Sequence, residues 1–175
     1  GLGDVYKRQQ LDCAARMLKN EAGTAFPWTS GFSHAPTMQW HESIEAERAY
    51  VLLWIAAEHA QSASWESRST SESLKRAANE FQLAAGCLAH MTTLPLPAPL
   101  QDQVPCLRFL MLAQAQECFW QKAVQDALKD TTIAKLAQGV STLYADSVAL
   151  APPAALPPDW LQHMAVSYTH LTLPT

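Results

Sequence analysis

Apolar positions recur along this chain at the three- and four-residue spacing of helices, in stretches separated by proline-rich or polar connections. The clearest stretch holds Leu74, Ala77, Ala78, Phe81, Ala84, Ala85 and Leu88 on one face and ends near Met91. Before it, residues 43–63 read as a helix, with Ile44, Tyr50, Val51, Trp54, Ile55 and Ala57 on a broad apolar face and Glu45, Glu47 and Arg48 facing out. The polar stretch from Ser62 to Thr70 connects the two, and Ser69 followed by Glu72 has the form of a capping box for the second helix. Thr93 to Pro99 cannot continue a helix, because proline lacks the amide donor and blocks the preceding turn.

A long helix is predicted from about Gln101 to Leu128, with Pro105 tolerable only in its first turn. Its apolar residues wrap most of the circumference, which predicts burial between neighbours. Lys129 and Asp130 mark a break, with Asp130 as the N-cap of a further helix to Leu150. Residues 151–158 form another proline loop, and Asp159 caps one more helix. At the other end, residues 10–20 read as a helix tail. Residues 21–41 are too rich in Gly and Pro for a helix, and a hairpin or packing loop is expected near 24–41. The predicted fold class is all-α, an antiparallel helical-hairpin solenoid of the tetratricopeptide kind, without a clean repeat consensus.

Both ends change the effective length. Gly1 to Gln9 and Val166 to Thr175 read as in-frame translations of one transposon-end adapter element, in opposite orientations. In that frame the codon before Val166 allows only Ala, Ser, Pro or Thr, and residue 165 is Ala. The expected domain is therefore residues 10–165, truncated at both ends. Without the two scars Lys plus Arg falls from 12 to 10, Asp plus Glu falls from 16 to 15, and net charge moves from −4 to −5. An internally cut solenoid exposes apolar faces, so residues 10–164 alone are expected to be poorly soluble.

Composition narrows the function. Basic residues are scattered without a run, which argues against a nucleic-acid surface. No apolar run approaches the roughly 20 residues of a membrane span. Cys13, Cys87, Cys106 and Cys118 show no CxxC spacing and fall in apolar helical patterns. They read as small buried hydrophobes in a reducing compartment, although four cysteines also permit disulfides.

No His has Glu three residues before it, as a di-iron bundle requires. His41-Glu42 lacks the second His of a zincin, because position 45 is Glu. There is no phosphate loop, GxGxxG or GxSxG. Cys87 and His90 lie one turn apart, but an Ala-rich helix offers no oxyanion donors. Trp28 and Trp40 could stack a ligand; sealing the base of the helices is the simpler role. The reading is a non-enzyme without metal, cofactor or small-molecule substrate.

The informative segment is residues 109–138. Gln114, Gln116 and Glu117 are polar residues in a helix otherwise apolar nearly all round. Buried amides and carboxylates need partners, so these residues are expected to cross-link adjacent helices or loops through backbone groups and fix the register of the core. MLAQAQECF (Met111 to Phe119) followed by IAKLA (Ile133 to Ala137) closely resembles the signature of the BRO domain family, of the ALIX and PalA type. Residues 56–64 and 74–91 resemble its two preceding helices, and residues 26–43 its small hairpin region. Phe119-Trp120-Gln121-Lys122 is more similar to the fungal PalA branch.

The resemblance implies a scaffold module rather than an enzyme. BRO domains hold the C-terminal amphipathic helix of an ESCRT-III subunit in an apolar groove, in endosomal sorting or fungal ambient-pH signalling. It implies a cytoplasmic protein recruited to endosomal membranes through its partners. The family's contact positions carry over to Phe119, Thr132 and Leu136. Thr132 departs from the pattern, which usually has a bulkier aliphatic residue there. Helical spacing alone reads Ile133 and Leu136 as core; the resemblance moves Leu136 to the interface and leaves Ile133 inside. The competing reading is a generic helical-repeat or structural domain with another peptide partner. An exposed apolar stripe around Leu136 would favour binding, and full burial the structural role.

Overall fold

In the computed structural model the described residues are 25–29, 32 and 38–151, with the single positions Gln10 and Gln162. The expected helices at 10–20 and after Asp159, and Cys13, lie outside them. Within them the order is β1 (Phe26–Trp28), β2 (Gln39–His41), then four helices: α1 (Ile44–Trp65), α2 (Ser71–Met91), α3 (Ala98–Gln125) and α4 (Asp130–Ala149). The strands pair antiparallel, with Pro27 opposite Trp40. Each helix packs on the next in sequence, α1 on α2, α2 on α3 and α3 on α4. This is the all-α stack of antiparallel helices that the apolar periodicity predicts, and the strand pair is the hairpin alternative expected near 24–41.

Helix α2 follows its pattern most closely. Leu74, Ala77, Ala78, Phe81, Ala84, Ala85 and Leu88 are all buried. Small alanines allow close approach to both neighbours, while Phe81 and the leucines fill the space between. Truncating Phe81 to Ala would cost about 3–5 kcal/mol. Its N-terminus corrects the sequence expectation by one residue. The capping box is Thr70 with Ser73: Thr70 Oγ1 accepts from the Ser73 amide at 3.2 Å, and Ser73 Oγ accepts from the Thr70 amide at 3.3 Å. Ser69 instead bonds to Ser67, its hydroxyl 2.7 Å away. A serine at the third helical position closes the box as well as the expected Glu72 would have done.

Helix α1 departs further. Ser43 caps it, accepting from the Ala46 amide at 3.3 Å. Glu47, expected to face out, is buried and accepts a hydrogen bond from Trp28 Nε1. Trp54, expected inside, is exposed and donates to the Thr29 carbonyl at 3.0 Å. The hairpin causes both differences. It lies along the face carrying Glu47, Tyr50 and Trp54, so among the described residues this helix packs on α2 on one side and meets the hairpin on the other. Trp28 is half-buried against the core, but Trp40 is 63% exposed. Only the first of these two tryptophans takes part in the seal expected of both.

Helix α3 starts three residues early, at Ala98, with Pro97 as its cap residue and Pro99 in its first turn. Pro105 therefore sits inside the helix and not in its first turn. The ring leaves the Gln101 carbonyl without its helical amide partner. Buried Leu100 and Val104 hold this N-terminal stretch in place. The helix is not enclosed all round. Leu107, Leu110, Ala113 and Cys118 are buried, whereas Phe119 and Val124 are exposed. Asp130 is the first residue of α4, and the cap position belongs to Lys129, which makes no side-chain cap bond. The aspartate still places negative charge at the positive end of the helix dipole.

Candidate functional site

The turn between α3 and α4 aligns the two halves of the signature. The Leu128 amide reaches the Ala123 carbonyl at 3.0 Å, and the Ala127 amide reaches the Val124 carbonyl at 3.1 Å. Together they form a Schellman closure, which places its residue after the cap in the left-handed region. Ala127 occupies that position with φ 51°. The chain then reverses, and α4 returns antiparallel along α3.

Two contacts define the register of the return. Ser147 Oγ donates to the Cys106 carbonyl at 3.0 Å. Gly139 faces Gln116, and a Cβ there would lie in ordinary van der Waals contact, 3.5 Å from the Gln116 amide nitrogen. Burial on α4 is confined to Val140, Ser141, Tyr144 and Ser147, a single stripe in its second half.

Glu117 is the polar centre of this interface. Tyr144, itself fully buried, donates its phenol to Glu117 Oε2 at 2.6 Å. Gln121 Nε2 donates to Oε1 at 3.2 Å. The Arg68 guanidinium, from the connection between α1 and α2, lies 3.6 Å from the same oxygen. Gln125 Nε2 also donates to the Arg68 carbonyl at 3.0 Å. Glu117 thus ties a loop and a helix to α3, as expected, but through side chains where backbone partners were predicted. Gln114 and Gln116 are half-buried on the same helix.

The residues carried over as partner contacts lie on α3 and on the first half of α4. Phe119 is 36% exposed. Thr132 is exposed, and Ile133, Leu136 and Ala137 are half-buried on the first half of α4. None of the residues from Asp130 to Gly139 is buried. These apolar side chains are neither enclosed nor fully solvated, and Ile133 is less enclosed than helical spacing suggests. Val124 and Leu128 extend the exposed apolar surface toward the turn.

Reactive chemistry is disfavoured around the cysteines. Cys106 and Cys118 are buried free thiols, and burial raises the pKa of both. Cys87 is half-buried on α2. Among the described residues no group of three His, Cys, Asp or Glu side chains could hold a metal ion, and no helix is long and apolar enough to cross a membrane. Tyr144 and Arg68 are the members of the site that sequence reasoning missed. Tyr144 lies outside the signature, and Arg68 lies on a connection whose approach to α3 no local pattern encodes.

Comparison with known proteins agrees with this geometry. The family model for the BRO1-like domain matches residues 6–172, a few residues beyond the expected 10–165 at both ends. The chain is 41% identical over 162 residues to the pH-response regulator protein palA/RIM20 of Emericella nidulans, covering 86% of this chain and 19% of that protein. It is 35% identical over 142 residues to the ALG-2 interacting protein X of Dictyostelium discoideum, covering 77% of this chain and 18% of that protein. The chain thus spans about a fifth of the length of the curated relatives it matches. Among solved structures it is similar to ALIX in complex with the SIVmac239 PYKEVTEDL late domain, with TM-score 0.82 and 28% identity, covering 94% of this chain and 26% of that one. It is also similar to the ALIX BRO1 CHMP4C complex, with TM-score 0.80 and 26% identity, covering 94% and 51% of the two chains. The helical stack is that of known BRO1 domain structures, and the chain belongs to the BRO1-like domain family.

Proposed function

We propose that this domain is a non-enzymatic adaptor that binds the C-terminal amphipathic helix of an ESCRT-III subunit along α3 and α4. The observation that carries the reading is the partial exposure of Phe119, Ile133 and Leu136 where α4 lacks buried residues. Helix-in-groove recognition needs such apolar anchors, presented on a rigid element and open on one side. The similarity to an ALIX BRO1 domain in complex with CHMP4C supports the same partner class. Phe119 and Leu136 act as anchors, and Thr132 contributes a smaller contact between them.

Recruitment to endosomes through such a partner follows from this reading, within cargo sorting or fungal ambient-pH signalling. The relatives named as pH-response regulators favour the second setting. Titrating the full-length protein with a labelled C-terminal helical peptide of CHMP4C tests the proposal. Saturable binding that Leu136→Asp weakens is expected. Binding unchanged by Leu136→Asp would place the partner elsewhere and return α4 to a structural role. We also propose that residues 10–165 are the native portion, with adapter-derived ends. Sequencing the locus decides this: a continuous genomic frame encoding Gly1 to Gln9 and Val166 to Thr175 would refute it.

A further inference from the structure

The first half of α4 has an unusual mechanical position. From Asp130 to Gly139 no residue is fully buried and Ile133, Leu136 and Ala137 are half-buried, so apolar packing seats it only in part. It is held at its start by the Schellman turn and beyond Gly139 by the stripe through Val140 and Tyr144. The buried phenol of Tyr144 is fixed by the 2.6 Å bond to Glu117. The other oxygen of that carboxylate faces Gln121 and Arg68, and the Arg68 carbonyl is itself tied to Gln125.

We infer that Glu117 and Tyr144, braced by Arg68, are positioning residues that set where the first half of α4 lies against α3. The lever is long. Thr132 is twelve residues before Tyr144, which is about 18 Å along a helix. A tilt of about 5° at Tyr144 would therefore move Thr132 by about 1.6 Å, enough to spoil close apolar packing. Hydrogen bonds suit this task because they are directional, whereas apolar burial tolerates sliding. The brace also makes the α1–α2 connection part of the site, although it lies far from α4 in sequence. The link to partner binding rests on the function proposed above; the seating of α4 does not.

Hydrogen exchange on the full-length protein tests the seating directly. Tyr144→Phe keeps the ring and removes the donor. It should raise amide exchange in residues 132–139 by about fivefold, the scale of one lost hydrogen bond, and leave α1 and α2 unchanged. Glu117→Leu should do the same, and Glu117→Gln, which keeps an acceptor for the phenol, should restore most of the protection. Arg68→Gln should give a smaller rise in the same residues. Unchanged exchange in 132–139, or an equal rise throughout the helices, overturns the inference. The CHMP4C peptide provides a second readout. Weaker binding by Tyr144→Phe, with rescue in Glu117→Gln relative to Glu117→Leu, supports the link to the groove. Altered exchange without altered affinity overturns that link. If the unaltered protein fails to bind the peptide, the proposed function falls while the exchange result still decides the seating.

Discussion

The indole of Trp28 lies on the ring of Tyr50, with centroids 5.8 Å apart and planes within 10° of parallel. This stack joins the hairpin to α1. The Tyr50 phenol then donates to Gln39 Oε1 at 2.8 Å and lies 2.8 Å from His41 Nε2, so one side chain engages both strands. Tyr50→Phe keeps the stack and loses the polar contacts, at an expected cost of about 1 kcal/mol. Tyr50→Ala also loses the ring and leaves a cavity, at about 3–5 kcal/mol. Urea unfolding should resolve this difference; equal costs would mean that the hairpin contributes through its hydroxyl network alone.

The partner surface predicts a graded response. Phe119→Asp and Leu136→Asp should each weaken binding of the CHMP4C peptide by about 1–3 kcal/mol, with little effect on the melting temperature. Thr132→Leu adds apolar area at an exposed position. It should tighten binding, by up to about 1 kcal/mol. Isothermal titration would check both directions, and a Thr132→Leu variant that binds more weakly would place position 132 outside the groove.

Ala127 bears the strain of the α3–α4 turn. A Cβ at φ 51° meets the neighbouring carbonyl, a clash glycine avoids. Ala127→Gly should stabilise the fold, because relief of about 1–2 kcal/mol exceeds the extra backbone entropy glycine loses on folding. Thermal melts should show a higher midpoint. A lower one would mean that the turn relaxes out of the left-handed region.

Glu66 and Arg76 predict the acid response. Arg76 donates from Nε and Nη2 to the two Glu66 oxygens, each at 3.0 Å. These hydrogen bonds, with the guanidinium charge, hold the Glu66 carboxyl below the usual carboxylate range. A carboxylate depressed in the folded state stabilises it fully above its unfolded pKa. That contribution fades as pH falls through the folded value. Arg76→Gln should therefore lower stability near pH 7 and flatten its decline below about pH 4.5. Denaturation midpoints across that range would show it. The pair is exposed, so added salt should shrink the difference.

Thiol chemistry follows from burial. Desolvation raises the pKa values of Cys106 and Cys118, which keeps both as neutral thiols at pH 7. Alkylation of the folded protein should therefore reach half-buried Cys87 before either of them. Mass spectrometry of partially labelled protein would reveal the order, and early labelling of Cys106 would indicate that α3 and α4 open locally.

Helix identity and the α2 core face were legible in the sequence, because a 3.6-residue period in apolar side chains records which side of a helix leaves water. The proposed partner contacts Phe119, Thr132 and Leu136 come only from the resemblance of the two signature segments. Spacing alone reads Leu136, like Ile133, as core, since interface and interior both use apolar side chains. Contacts between distant segments needed the tertiary structure. Glu47 looks like a surface residue until Trp28 covers it, and Trp54 looks like core until Thr29 gives its indole a partner outside. Tyr144 and Arg68 meet at Glu117 from either side of it in the sequence. Periodicity is a property of each helix, while the choice of neighbour depends on packing and on buried polar groups finding partners, so that choice was made only when the helices came together.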